Sequence, residues 1–187
     1  KAPGFTATRL VFDNFLFSKM ASPQCTIYQN ATVTDIDTGG NGVVVKMMCS
    51  GEEYHISAPL IVGADGDKSI VRKKFLPENT VPKTSAVGLR AYYEGITGMH
   101  EEKFIELHFL KEMLPGYFWI FPMPNGMANV GVGILSERIR DKKINLREQM
   151  LSAIKSNPTI APRFANARLK GKIEGWGLPL AMNMCWR

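Results

Sequence analysis

The apolar run Leu60-Ile61-Val62 stops at Gly63-Ala64-Asp65-Gly66, and the basic stretch Asp67-Lys68-Ser69-Ile70-Val71-Arg72 follows directly. A buried strand that ends this way leaves a carboxylate and bare backbone where a ligand can approach. Glycine permits the approach because it has no side chain and tolerates positive φ. Ser69 and Arg72 stand three residues apart, at the start of the helix that the basic stretch predicts. A chain built around this strand, turn and helix must mix α and β structure.

The rest of the chain supplies elements for such a fold. Phe12, Phe15 and Leu16 fall at helical spacing, which predicts a short amphipathic helix from Thr8 through Met20, stopped near Pro23. Alternation from Thr26 to Asp37 predicts a strand, and Gly39-Gly40-Asn41-Gly42 a turn. Val43 to Cys49 is the return strand, Ser50-Gly51 the next turn, and Tyr54 to Ala58 pairs back. A meander thus feeds the buried strand.

Beyond Pro77 and Pro82, strands are expected at Ala86 to Gly95, Phe104 to Leu110, Tyr117 to Met123 and Ala128 to Leu135. Pro124-Asn125-Gly126 is the tightest turn, so the last two should be adjacent and antiparallel. Asn145 is expected to cap a helix reaching Ile154. A second helical piece is expected over Pro162 to Ala167, and a final strand over Lys172 to Leu180.

At 187 residues the chain can bury a sizeable core, and 45% hydrophobic with 21% charged residues is a globular composition. The net charge of +6 is scattered. Its densest clusters, Arg72-Lys73-Lys74 and Arg138-Ile139-Arg140-Asp141-Lys142-Lys143, carry no interleaved aromatics and read as solvated surface, not a nucleic-acid patch. Cys25, Cys49 and Cys185 lie far apart and read as free thiols in a reducing compartment. His55, His100 and His108 are too dispersed for a metal site. No apolar run approaches the ~18 residues that span a bilayer, and no secretory signal is visible, so a cytoplasmic location is expected. The start at Lys1 and the end at Met184-Cys185-Trp186-Arg187 read as a piece of something longer.

The other marked stretch is Pro115-Gly116-Tyr117-Phe118-Trp119-Ile120-Phe121-Pro122, followed by Ala128-Asn129-Val130-Gly131-Val132-Gly133. On a strand, Tyr117, Trp119 and Phe121 share one face. Spacing alone leaves two readings open: an apolar wall for a greasy substrate, or three aromatics packed under a helix.

The P-G-Y-x-W-x-F-P string with N-V-G-V-G resembles the substrate-domain signature of the geranylgeranyl reductase family of FAD-dependent oxidoreductases, within the p-hydroxybenzoate hydroxylase-like architecture. Arg9, Phe12 and Asp13, the Asp-Gly stretch and the aromatic hairpin follow in that family's order over nearly the whole chain. The resemblance implies an α+β fold. Residues 1-76 would be a β-meander remnant of the FAD-binding domain, and residues 77-187 an antiparallel-sheet substrate-binding domain with a covering helix.

The resemblance also implies roles. Arg9, Asp65 and Gly66 would contact FAD, and Tyr117, Trp119 and Phe121 would line the substrate chamber. NAD(P)H or another donor would reduce FAD, and hydride would pass to a C=C bond of a prenyl or other hydrophobic substrate. No catalytic residue is assigned; Glu106 and His108 share a strand face that reads as exposed and polar. No G-x-G-x-x-G fingerprint is present, and the family's later Gly-Asp segment is expected beyond Arg187. The chain alone is therefore expected to bind FAD weakly, to be inactive, and to self-associate through an apolar strand edge. Peripheral membrane contact fits a lipid substrate. The alternatives are a flavin-dependent monooxygenase or halogenase, and a non-catalytic hydrophobic-ligand-binding module.

Overall fold

Glycine-containing turns divide the first half of the chain as its alternation predicts. In the computed structural model, which describes residues 6–40, 42–66, 68–76 and 85–180, β1 (Ala31–Gly39), β2 (Gly42–Cys49) and β3 (Glu52–Ala58) form an antiparallel sheet in that order. Asn41, Asp67, Pro77, Pro82 and Met184-Cys185-Trp186-Arg187 lie outside the described residues. β1 starts at Ala31 rather than Thr26, because Asn30 takes a left-handed φ of 54° and turns the chain first. Ile36, Val43 and Met47 are the buried side chains of this meander. Lys46 and Lys74 neutralise Asp37 and Asp35 at 2.7 and 3.1 Å.

The expected buried strand at Leu60-Ile61-Val62 does not form: the run is irregular, with Leu60 75% and Val62 79% exposed. A strand needs a neighbour for its ladder, and no described strand pairs with this run. The helix that follows is α2 (Ile70–Phe75), capped by Ser69, whose hydroxyl accepts from the Arg72 N–H at 2.9 Å.

The chain forms two compact units, one from Leu16–Val81 and one from Lys1–Phe15 together with Pro82–Arg187. The helix α1 (Arg9–Ser18) has residues in both ranges and none of them is buried.

The larger unit is built on β4 (Ser85–Glu94), β5 (Glu106–His108), β6 (Tyr117–Pro122), β7 (Met127–Leu135) and β8 (Arg168–Pro179). These five strands form one antiparallel sheet in the order β5-β6-β7-β4-β8. The β6–β7 hairpin closes as expected, with Asn125 (φ 60°) and Gly126 (φ 69°) taking the left-handed turn. One sheet face carries Phe118, Ile120, Val130, Val132 and Ile134. They pack with Leu146, Met150 and Ala153 of α4 (Leu146–Ser156), and with Ile160 and Phe164 around the short 3-10 turn Ala161–Phe164. Asn145 caps α4, accepting from the Glu148 N–H at 3.2 Å.

Three boundaries differ from expectation. β5 has three residues because its neighbours carry no further ladder partners on β6. β8 starts at Arg168, early enough to pair with the far end of β4. A helix not expected as an element, α3 (Ser136–Lys142), follows β7 directly. The mixed architecture, antiparallel with a covering helix, is the α+β fold that the sequence implies.

Candidate functional site

Pairing places every second residue of β6 on the sheet face opposite the helix-packed core, and these residues are Tyr117, Trp119 and Phe121. Their rings form a ladder, with centroids 6.0 Å apart from Tyr117 to Trp119 and 5.9 Å from Trp119 to Phe121. Phe109 extends it, 6.0 Å from Tyr117. α4 packs on the opposite face, over Phe118 and Ile120.

The neighbouring strand explains why the indole can lie across the sheet. Gly131 stands directly opposite Trp119, and Gly133 opposite Tyr117. A Cβ at Gly131 would fall far inside contact distance of Trp119 Cζ2 and of the Leu89 carbonyl oxygen. The Trp119 Nε1–H donates to Asn129 Oδ1 at 3.0 Å, which fixes the ring's orientation. Gly116 is equally constrained: a Cβ there would meet the Gly133 carbonyl oxygen and lie 2.9 Å from that of Met113. Gly116 and Gly131, one from each motif string, are thus sites of close approach.

Further along the same face lies Arg90, a position that sequence reasoning missed. It pairs with Gly131 on one side and Glu174 on the other. Its guanidinium lies 5.1 Å from the Tyr92 ring and 4.9 Å from the Trp176 ring. Nη1 donates to Tyr92 Oη at 2.5 Å and Nη2 to Glu174 Oε2 at 3.1 Å. A lone arginine within the apolar string Val87-Gly88-Leu89-Arg90-Ala91-Tyr92 was the available signal.

Glu106 and His108 do not lie on an exposed polar face. Their ladder partners are Ile120 and Phe118, so they sit on the core side, and the Glu106 side chain is 19% exposed. Arg163 donates to both Glu106 oxygens, at 2.5 and 2.9 Å, and to the Thr97 carbonyl at 3.0 Å. Burial raises the Glu106 pKa, but Arg163, with His108 at 3.1 Å, outweighs it and holds the carboxyl below its ordinary value. This cluster fastens β5 to the 3-10 turn; it does not face the aromatic ladder.

The expected cofactor residues are Arg9, Asp65 and Gly66. The Arg9 guanidinium is held by Asp13, one turn along α1, with its Nε 2.9 Å from both carboxylate oxygens. That carboxylate raises the Arg9 pKa, with a lesser electrostatic contribution from Tyr92. Just before α1, the Thr6 hydroxyl donates to the Pro122 carbonyl at the end of β6. Asp65 accepts from the Ile70 N–H at 2.7 Å, and the Ser69 hydroxyl, with that N–H, holds its carboxyl below the ordinary range. Gly66 has φ 76° and no atom within 4 Å of where a Cβ would stand. Gly63 is pressed against α2, where an added Cβ would lie 2.7 Å from Val71 Cβ.

Open backbone at Gly66 beside a fixed carboxylate fits contact with a hydroxylated ligand edge. The sequence carries no G-x-G-x-x-G fingerprint, and among the described residues no group of His, Cys, Asp and Glu is arranged to hold a metal ion. No helix among them is long and apolar enough to cross a membrane. Cys25 and Cys49 are free thiols.

Residues 86–164 match the family model described as the geranylgeranyl reductase catalytic domain. Digeranylgeranylglycerophospholipid reductase 2 of Methanococcoides burtonii is 32% identical over 146 residues, covering 76% of this chain and 36% of that protein. The digeranylgeranylglycerophospholipid reductase of Methanosarcina mazei is 28% identical over 180 residues, covering 95% of this chain and 42% of that protein. The chain thus spans about two fifths of the length of these curated relatives. Among solved structures, a geranylgeranyl bacteriochlorophyll reductase-like protein from Thermoplasma acidophilum superposes with a TM-score of 0.74 at 17% identity, over 90% of this chain and 41% of that one. A flavin-dependent brominase gives 0.73 at 20% identity, over 94% of this chain and 45% of that one. At such identities the likeness speaks to the fold alone.

Proposed function

Through residues 86–164 the chain belongs to the geranylgeranyl reductase family, and on that premise we propose that it is part of an FAD-dependent oxidoreductase. The enzyme reduces carbon–carbon double bonds of a prenyl or other hydrophobic substrate, with hydride derived from NAD(P)H. The observation that carries the proposal is the ring ladder Tyr117, Trp119 and Phe121 on the sheet face opposite the one that α4 covers. The curated relatives bear the name of a prenylated phospholipid's reductase, which is consistent with a lipid for that face.

Each residue then has a task. The three rings hold an isoprenoid chain flat and exclude water from it. Asn129 keeps the Trp119 indole in the orientation that makes the ladder continuous. Arg9, Asp65 and Gly66 are the positions offered to the cofactor. FAD, when bound, supplies the hydride chemistry. Glu106 and His108 stand on the other sheet face and are not offered as proton donors. A lipid substrate brings with it a peripheral contact with the membrane surface, on the cytoplasmic side.

The chain alone binds FAD weakly and is inactive on this reading, because its sequence carries no G-x-G-x-x-G fingerprint. A calorimetric titration with FAD and a tryptophan-quenching titration with geranylgeraniol test the two halves separately. Prenyl binding that Trp119→Ala weakens about tenfold or more is the expected result, one aromatic platform lost. No prenyl binding would refute the substrate reading. A stoichiometric micromolar FAD complex would refute the weak-binding statement. Mass spectrometry of a geranylgeranyl lipid incubated with FAD and NADPH reads any gain of hydrogen directly.

A further inference from the structure

The open sheet face is polarised. Along one cross-strand row stand Tyr117, Gly133, Gly88 and Trp176, with no charge among them. The next row runs Trp119, Gly131, Arg90 and Glu174, and the one beyond it ends at Tyr92 and Lys170. The face therefore passes from an aromatic wall on β6 to a charged corner on β4 and β8, where Arg90 pairs with Glu174 and Lys170 with Glu94. Only β7 intervenes between the two, so roughly 10 Å separates them.

Resting on the reading above, we propose that Arg90 is a specificity-determining residue that receives the anionic head of a prenyl phosphate or phospholipid whose chain lies on the β6 rings.

A hydrocarbon chain that covers this face strips water from the Arg90–Glu174 pair, and such a pair is costly to desolvate while donors of the guanidinium stay unfilled. A phosphate that fills those donors offsets a cost that an uncharged prenyl chain leaves standing. The guanidinium is ready for such a ligand. Tyr92 and Trp176 flank it, which fixes the plane of its fork, and arginine's fork matches phosphate oxygens in pairs. Tyr92 and Glu174 occupy only two of its five donors.

Glu174 holds the place of the anion. The Glu174 side chain is 50% exposed and that of Arg90 22%, so the carboxylate can swing into water and leave the guanidinium to a ligand with more oxygens. Lys170, paired with Glu94 at 3.4 Å, adds a second cation at the same corner. The relatives' names, phospholipid reductases, describe an amphiphile of this kind.

The test uses the full chain and three probes: geranylgeranyl monophosphate, geranylgeraniol and inorganic phosphate, each titrated against tryptophan emission. The wild type is expected to prefer the prenyl phosphate over the alcohol by about tenfold or more, the scale of one charge-assisted pair. Arg90→Gln should bring that ratio close to unity, Arg90→Lys should keep part of it, and Glu174→Gln should raise it. If Arg90→Gln does not fold, the lysine variant and Glu174→Gln carry the same test with the cation retained.

A wild type without preference, or a ratio untouched by Arg90→Gln, overturns the inference while leaving the prenyl reading intact. Inorganic phosphate bound as tightly as the prenyl phosphate also overturns it, because the tail then contributes nothing. Binding of neither prenyl probe overturns both readings together.

Discussion

Gly131→Ala and Gly133→Ala make the same chemical change two residues apart on one strand and one face, yet they should behave oppositely. At Gly133 an added Cβ would lie 3.7 Å from Trp119 Cζ3, an ordinary van der Waals contact. At Gly131 it would fall inside both the indole ring and the Leu89 carbonyl oxygen of β4. The ring can move, but the carbonyl belongs to a ladder and cannot move without opening the β4–β7 pairing. Overpacking of this kind costs about 2–3 kcal/mol. In a unit of this size, that corresponds to a fall in melting temperature of roughly 10–20 °C.

Urea unfolding followed by tryptophan emission is the assay, since Trp119 and Trp176 both belong to the larger unit. Gly133→Ala should unfold within about 0.5 kcal/mol of wild type. Adding Trp119→Leu to Gly131→Ala should recover only part of the loss, because the Leu89 contact remains. Equal destabilisation by the two alanines, or a neutral Gly131→Ala, would refute the account of why glycine stands opposite Trp119.

Arg163→Met removes the paired bonds to Glu106 and should cost about 2 kcal/mol near neutral pH, measured by chemical denaturation. The Glu106 carboxyl is held below its ordinary pKa in the fold, so this stability is present above the unfolded carboxyl range and is lost as pH falls through the folded pKa. The gap between wild type and variant should therefore close in acid; a pH-independent gap would contradict the pairing. Asn145→Ala should cost about 1 kcal/mol through loss of the α4 cap, read from the same unfolding curves. Ser69→Ala should speed hydrogen exchange at the Arg72 amide about fivefold while leaving the larger unit's amides unchanged.

What the sequence made legible depended on whether the signal was local. The β6–β7 hairpin was readable because Asn125-Gly126 fits a left-handed turn and the flanking residues alternate. The α4 start was readable because Asn145 precedes an apolar periodicity. Leu60-Ile61-Val62 misled because an apolar run reports a preference for burial, not the presence of a neighbour to pair with. Thr26 to Asn30 misled similarly, since alternation continued through a residue whose backbone turns away.

Glu106 and His108 were placed on the wrong kind of face because their partner, Arg163, lies 57 residues on and has no local signature. The candidate site divides the same way. The aromatic ladder follows from period two on one strand, whereas Arg90 acquires its surroundings only when β8 pairs back onto β4. Spacing put Tyr117, Trp119 and Phe121 on one face but could not say which face α4 covers; the pairing of β6 with β7 puts α4 on the other one.

Through its middle, from Val130 to Ile134, β7 carries its bulk on one side only. Val130, Val132 and Ile134 anchor the core, while Gly131 and Gly133 leave the opposite side bare. Variation in the β6 side chains above those glycines is thus screened from the residues that keep the unit folded. A lineage can reshape which lipid the surface accepts through a few exchanges on β6, with little loss of mutational robustness elsewhere. The converse also holds: a gain of bulk on β7 changes the surface and endangers the fold at once, so selection meets that strand as a constraint and β6 as its adjustable part.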